Sequence, residues 1–233
     1  LSTIPSILGK IMAIGRDPKA GAEEFAQVYQ IDKTSTARLL RTANSVYYTT
    51  SSQLVVQSIK EAIVRVGFQK AQDIVNSAVV CNLFKMHETI EDYSSPELWK
   101  HSMAVALGVQ LIYESVLRGE RPGVDPYLAG LLHDIGISIE HAALYKDGFQ
   151  QAVADRFQKG TRLAEEEVRC LGLSHELLGW EMSQRWRFPE PLQTVIACHH
   201  SFESAEPPFA RLVHAVRVSE WLCFEAQLGY SDI

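Results

Sequence analysis

Apolar residues recur every three or four positions through almost all of the 233-residue chain, and no long stretch alternates strictly between apolar and polar. A period near 3.6 marks amphipathic helices and a period of two marks half-buried strands, so the pattern predicts an all-α protein. Asp32 or Thr34 is placed to cap a helix running to Asn44. Ser58-Ile59-Lys60-Glu61 has the form of a capping box ahead of Ala62-Ile63-Val64, and Gly67 ends that short helix. A further helix is expected over 71–86. The acidic, turn-rich segment from His87 to Glu97 then divides a single domain, 1–233, into an N-terminal helical subdomain, 1–90, and a second helical subdomain, 91–233. Beyond it the pattern predicts helices near 96–117, 125–136, 138–145, 147–157, 161–170, 174–187, 189–201 and 206–228. Pro189 and Pro191 suit one helix start, and Pro207-Pro208 suit the start of the last.

Polar residues on the apolar faces of these helices carry the chemistry. His133-Asp134 interrupts the run from Leu128 to Ile137, where a buried, unpaired carboxylate costs several kcal/mol (order of magnitude). A metal ion satisfies imidazole and carboxylate together, and the pair suits zinc, iron, manganese or nickel. Further ligand types share the inward faces. His175 precedes Leu178, Gly179, Met182 and Trp186 on one stripe, and His199 follows Leu192, Val195 and Ile196. His101 heads the face of Ala104, Val105, Gly108, Leu111 and Ile112. Glu220 continues the stripe of Phe209, Leu212, Val213 and Val216, so a carboxylate sits where its helix is otherwise apolar. One shared site compensates these groups collectively; the alternative is a set of separately hydrogen-bonded polar residues on a metal-free scaffold. His87, His141 and His214 read as structural or exposed, and the cysteines as small hydrophobes.

Composition narrows the setting. Hydrophobic residues make up 46% and charged residues 21%, as in an ordinary globular protein. A net charge of −6 argues against broad attraction to nucleic acid or anionic membrane. Cys81, Cys170, Cys198 and Cys223 form no close-spaced pair, which suggests a reducing, cytoplasmic setting, and no apolar stretch approaches about 20 residues. The chain opens with Leu1, as expected of a piece of a longer protein.

His101, then His133-Asp134, then a late acidic residue follows the order of the HD superfamily of metal-dependent phosphohydrolases, and within it the chain resembles an HDOD domain. The likeness extends over Leu1-Ser2-Thr3-Ile4-Pro5, Asp32, Leu39 to Ser45, Ser58-Ile59, Ala62-Ile63, Gly67, Trp99 to Ser102 and Gly130 to Gly136. It continues through Ser174-His175, Gly179, Trp186 before Pro189, and His199-His200. HDOD domains are similar to the HD-GYP phosphodiesterases of cyclic di-GMP. That resemblance implies an all-helical fold and a first ion at His101, His133, Asp134 and Glu220. It implies that Asp134 bridges to a second ion at His175, His199 and His200. The chain departs from those enzymes in three places. Ile137 stands where they have a lysine, Ser201 to Pro207 lacks the Gly-Tyr-Pro signature, and Glu220 replaces an aspartate.

Ligand retention with loss of the phosphate-binding cation favours a regulatory output module of a bacterial signalling protein over a catalyst. The resemblance implies neighbours such as receiver or sensor domains, other signalling proteins as partners, and a possible nucleotide ligand. The rival expectation is a phosphodiesterase or phosphohydrolase acting on a nucleotide or cyclic dinucleotide, with Asp134 as its catalytic bridge between two ions.

Overall fold

A computed structural model describes residues 21, 33–49, 55–81 and 93–230. The opening motif at Leu1, the cap at Asp32, and Met86 and His87 lie outside the described residues. Every regular element among the described residues is helical, and none is long and apolar enough to cross a membrane. The chain forms two compact units, Leu1–Asn82 and Leu83–Ile233.

The first unit holds α1 (Lys33–Ala43), α2 (Ile59–Val66) and α3 (Phe68–Val80). The α2 cap forms as its sequence predicts: the Ser58 hydroxyl accepts from the Glu61 N–H at 3.2 Å. The Glu61 carboxylate reaches one residue further back than expected and accepts from the Gln57 N–H at 2.9 Å. Ile59, Ala62, Ile63 and Val66 then bury one helical stripe. Gly67, at φ 87°, turns directly into α3, a conformation that costs a glycine little. Asn44 behaves differently from a simple helix stop. Its amide donates to the Val56 carbonyl and accepts from the Val56 N–H, both at 2.8 Å, so it closes the intervening loop. One side chain can make both bonds because an amide carries both a donor and an acceptor.

The second unit runs α4 (Ser95–Ser115), α5 (Pro126–Leu132), α6 (Ile135–Leu144), α7 (Gln150–Lys159), α8 (Leu163–Leu171), α9 (His175–Arg185), α10 (Glu190–Cys198) and α11 (Pro207–Glu225). Side chains of Ser94, Asp125 and Ser174 cap α4, α5 and α9. The break expected between the helices 125–136 and 138–145 falls a few residues earlier, at His133-Asp134, where Asp134 takes φ −94°, ψ 19° and becomes the N-cap of α6. An apolar run does not reveal the exact position of this break, because both pieces are buried and periodicity continues across the joint.

Small residues let the helices approach closely. A Cβ on Gly130 would stand 2.7 Å from the Ala106 Cα, so α5 lies directly against α4. On Gly136 it would collide with the carbonyl oxygen of His175, and on Gly108 it would meet the Ser219 hydroxyl at 2.7 Å. These contacts tie α6 to α9 and α4 to α11. They draw together the helices that carry the ligand-type residues.

Candidate metal centre

The break between α5 and α6 turns both side chains of the His-Asp pair into the interior of the second unit. His133 Nε2 lies 3.1 Å from Asp134 Oδ2 and 3.3 Å from His101 Nε2, which α4 brings in from the side. On the other oxygen of Asp134, Oδ1, His199 Nε2 stands at 3.1 Å and His175 Nε2 at 3.7 Å. His200 packs on its neighbour, with ring centroids 4.3 Å apart. Two groups of mutually close donor atoms result: His101, His133 and Asp134, and Asp134, His175, His199 and His200. Asp134 belongs to both.

Glu220 stands beside these groups rather than inside either. Its Oε1 is 3.7 Å from His133 Nε2 and 4.0 Å from His200 Nδ1. The structure therefore gathers all seven predicted side chains, with Glu220 in an outer position. His141 is buried against Tyr145 and Phe149, whereas His214 is exposed. None of the four cysteines belongs to either group. A separate cluster of Asp155, Glu166 and Cys170 has its carboxylates paired with Lys159 and Arg169.

Hydrogen bonds on the far side of the rings fix which nitrogen faces inward. His133 Nδ1 contacts the Gly130 carbonyl at 2.7 Å, and His199 Nδ1 the carbonyls of Val195 and Ile196 at 3.1 Å. His175 Nδ1 contacts the Glu167 carboxylate at 2.7 Å. An acceptor at Nδ1 makes that nitrogen the donor, so a neutral ring presents its Nε2 lone pair to Asp134. Metal-binding histidines are normally oriented in this way. His175 Nε2 is buried with no hydrogen-bond partner, and His101 Nδ1 is likewise orphaned. The donor set fits a divalent ion of the zinc, iron, manganese or nickel type.

Without an ion, protons must link these groups. Burial opposes charge on His133, yet Asp134 outweighs it and raises the ring to about 9. Asp134 is itself held well below the usual carboxylate range despite its burial, chiefly by His133 and His199. Burial lowers His101 to about 4 and pushes Glu220 up. A cluster in which neighbouring groups are driven in opposite directions is typical of functional sites.

Two carboxylates in this layer were not singled out from the sequence. Glu167 accepts from both the His175 backbone N–H, at 2.8 Å, and the His175 ring. Glu140 lies against Glu167, fully buried, and burial followed by repulsion from Glu167 raises it to about 10. Glu140 was open to detection, since it interrupts the apolar helix Ile135–Leu144 just as Glu220 interrupts its own. Glu167 was hidden, because Glu165-Glu166-Glu167 reads as an ordinary solvated run.

A solved HDOD domain protein of unknown function from Geobacter sulfurreducens matches at 28% identity with a TM-score of 0.85, covering 100% of this chain and 76% of that one. A Marinobacter aquaeolei VT8 protein, provisionally named for signal transduction, shares the fold at 19% identity and a TM-score of 0.79, over 99% of this chain and 51% of that one. An uncharacterized protein of Treponema pallidum (strain Nichols) is 21% identical over 220 residues, or 93% of this chain. The chain spans 41% of the length of that relative. The HDOD domain model matches residues 1–202, which takes in the helix break and all six members of the two donor groups, His101, His133, Asp134, His175, His199 and His200. With the match extending over most of the sequence and the pair placed at the centre of the fold, the chain belongs to the HDOD domain family.

Proposed function

We propose that the chain is a signal-transduction output module whose histidine–carboxylate centre holds one or two divalent ions and fixes the packing of the second unit. The observation that carries this reading is the closure of the site. The side chains of His133, His175 and His199 are 0% exposed, and those of His101, Asp134 and Glu220 are at most 3%. A groove of about 710 Å³ on the same unit is lined by Glu97, Arg156, Phe157, Phe224 and Tyr230 and by none of the seven. At position 137, where the related phosphodiesterases carry a lysine, a fully buried isoleucine leaves no cation on α6. Such a centre is suited to holding helices together. It is poorly suited to admitting a cyclic dinucleotide.

When bound, an ion would supply a strong local charge in place of the protons that otherwise join these groups. The chain's own contribution is to hold four Nε2 atoms around one carboxylate and to commit the Nδ1 atoms of three of those rings elsewhere. Protein loaded with Mn, Fe or Zn is expected to leave cyclic dinucleotides and nucleotides intact. Hydrolysis that requires metal and is abolished by Asp134→Ala would overturn the reading. The sharing of Asp134 between two donor groups favours that rival, because a bridging carboxylate is what a two-ion hydrolase requires.

A further inference from the structure

The closed centre has one less sealed edge. His200, at the end of α10, is 7% exposed, and Arg217, one turn before Glu220 on α11, is 18% exposed. Both face Glu220. His200 Nδ1 lies 4.0 Å from its Oε1, and Arg217 Nη1 lies 3.7 Å from its Oε2. That separation is too long for a hydrogen bond, and Arg217 Nη1 is buried with no hydrogen-bond partner. A buried guanidinium nitrogen left in this state is costly unless something completes it.

We propose that Arg217 is the anion-binding residue of this centre, and that it takes a small tetrahedral oxyanion of the phosphate type at the edge it shares with His200. The inference rests on the metal-centre reading above, and charge supplies its second argument. The histidine ligands are neutral when they bind a metal. Two divalent ions balance the carboxylates of Asp134, Glu220, Glu167 and Glu176, the last of which accepts from the His200 N–H at 3.2 Å, and Arg217 then tips the centre to an excess of positive charge. An excess of this kind is compensated by an anion drawn from solution. One divalent ion leaves no such excess. Oxyanion binding should therefore appear only when the second ion is bound. Arginine presents several N–H donors in a planar fork, so it can serve Glu220 and an incoming oxyanion together. Its place on α11 answers the missing cation at Ile137 from a different element.

The test is calorimetric titration of inorganic phosphate into the full chain loaded with one and then two equivalents of Mn, with metal content measured in every sample. Phosphate should bind the two-ion protein, and Arg217→Met should weaken it by about ten- to hundredfold, the loss of one charge-assisted contact. Arg217→Lys, which keeps the charge but not the fork, should fall between them, and it carries the test if the methionine variant does not fold. Unchanged affinity in the variants, or equal binding to one-ion and two-ion protein, would overturn the proposal. Two ions bound without any phosphate heat would overturn it and leave the metal centre standing, whereas failure to bind metal would remove both.

Discussion

Glu167→Gln isolates the buried layer behind the centre. Glu167 accepts from the backbone N–H of His175 at 2.8 Å and from its ring Nδ1 at 2.7 Å, with both residues fully buried. Glutamine conserves the shape but removes the charge, and its single acceptor oxygen can replace only part of this pairing. Loss of one charge-assisted bond costs about 1.5–3 kcal/mol, and at 1.4 kcal/mol per decade that is about a ten- to hundredfold loss of metal affinity. Outer-layer carboxylates behind metal-bound histidines show effects of this size. The loss should fall on the group containing His175, His199 and His200 and spare the group of His101 and His133. Competition against a chromophoric chelator, with metal counted by mass spectrometry and folding followed by circular dichroism, separates the two. Equal weakening of both ions, or a change below about threefold, would refute the argument that Glu167 acts through His175.

Other substitutions probe the same architecture. Glu140 is raised to about 10 from an ordinary 4.5, so between those values the unfolded chain ionises while the folded one keeps its proton. Stability from this group is complete below about 4.5 and is lost as pH rises towards 10, by up to about 1.4 kcal/mol per pH unit. Glu140→Gln should flatten that decline in chemical-denaturation curves taken from pH 5 to 9, and an unchanged slope would contradict the burial argument. Gly136→Ala forces a Cβ into the His175 carbonyl and should destabilise the protein by about 1–3 kcal/mol, read as a lower Tm with weaker metal retention. Glu220→Gln should weaken metal binding less than Asp134→Ala, because Glu220 stands outside both close donor groups; equal losses by titration would place it inside.

Most of the fold was legible because its helices announce themselves by period, caps and prolines. Ser58, Ser174 and Pro207 each sit within a residue of the predicted starts. That two helices meet here was legible, but the break's position at His133-Asp134 was not, since its cause is tertiary: the pair turns towards side chains that arrive from α4, α9 and α10. Inward polar residues were detectable wherever a single carboxylate or imidazole interrupts an apolar face, as at His101, His175 and Glu220. Glu167 was not detectable, because its two acidic neighbours mask it, and neither was Arg217, which faces Glu220 from one helical turn away on the same helix. Charge runs conceal buried members because periodicity cannot rank residues that are all polar.

Asp134 is the one side chain common to both donor groups, so its removal tests the centre most directly. Metal content of gently purified wild-type protein and of Asp134→Ala should be measured by mass spectrometry on samples shown to be folded. Up to two divalent ions per chain in the wild type, and little or none in the variant, is the predicted result. Metal-free wild-type protein that still folds fully and takes up no added ion, or a variant that retains the same stoichiometry, would contradict the account.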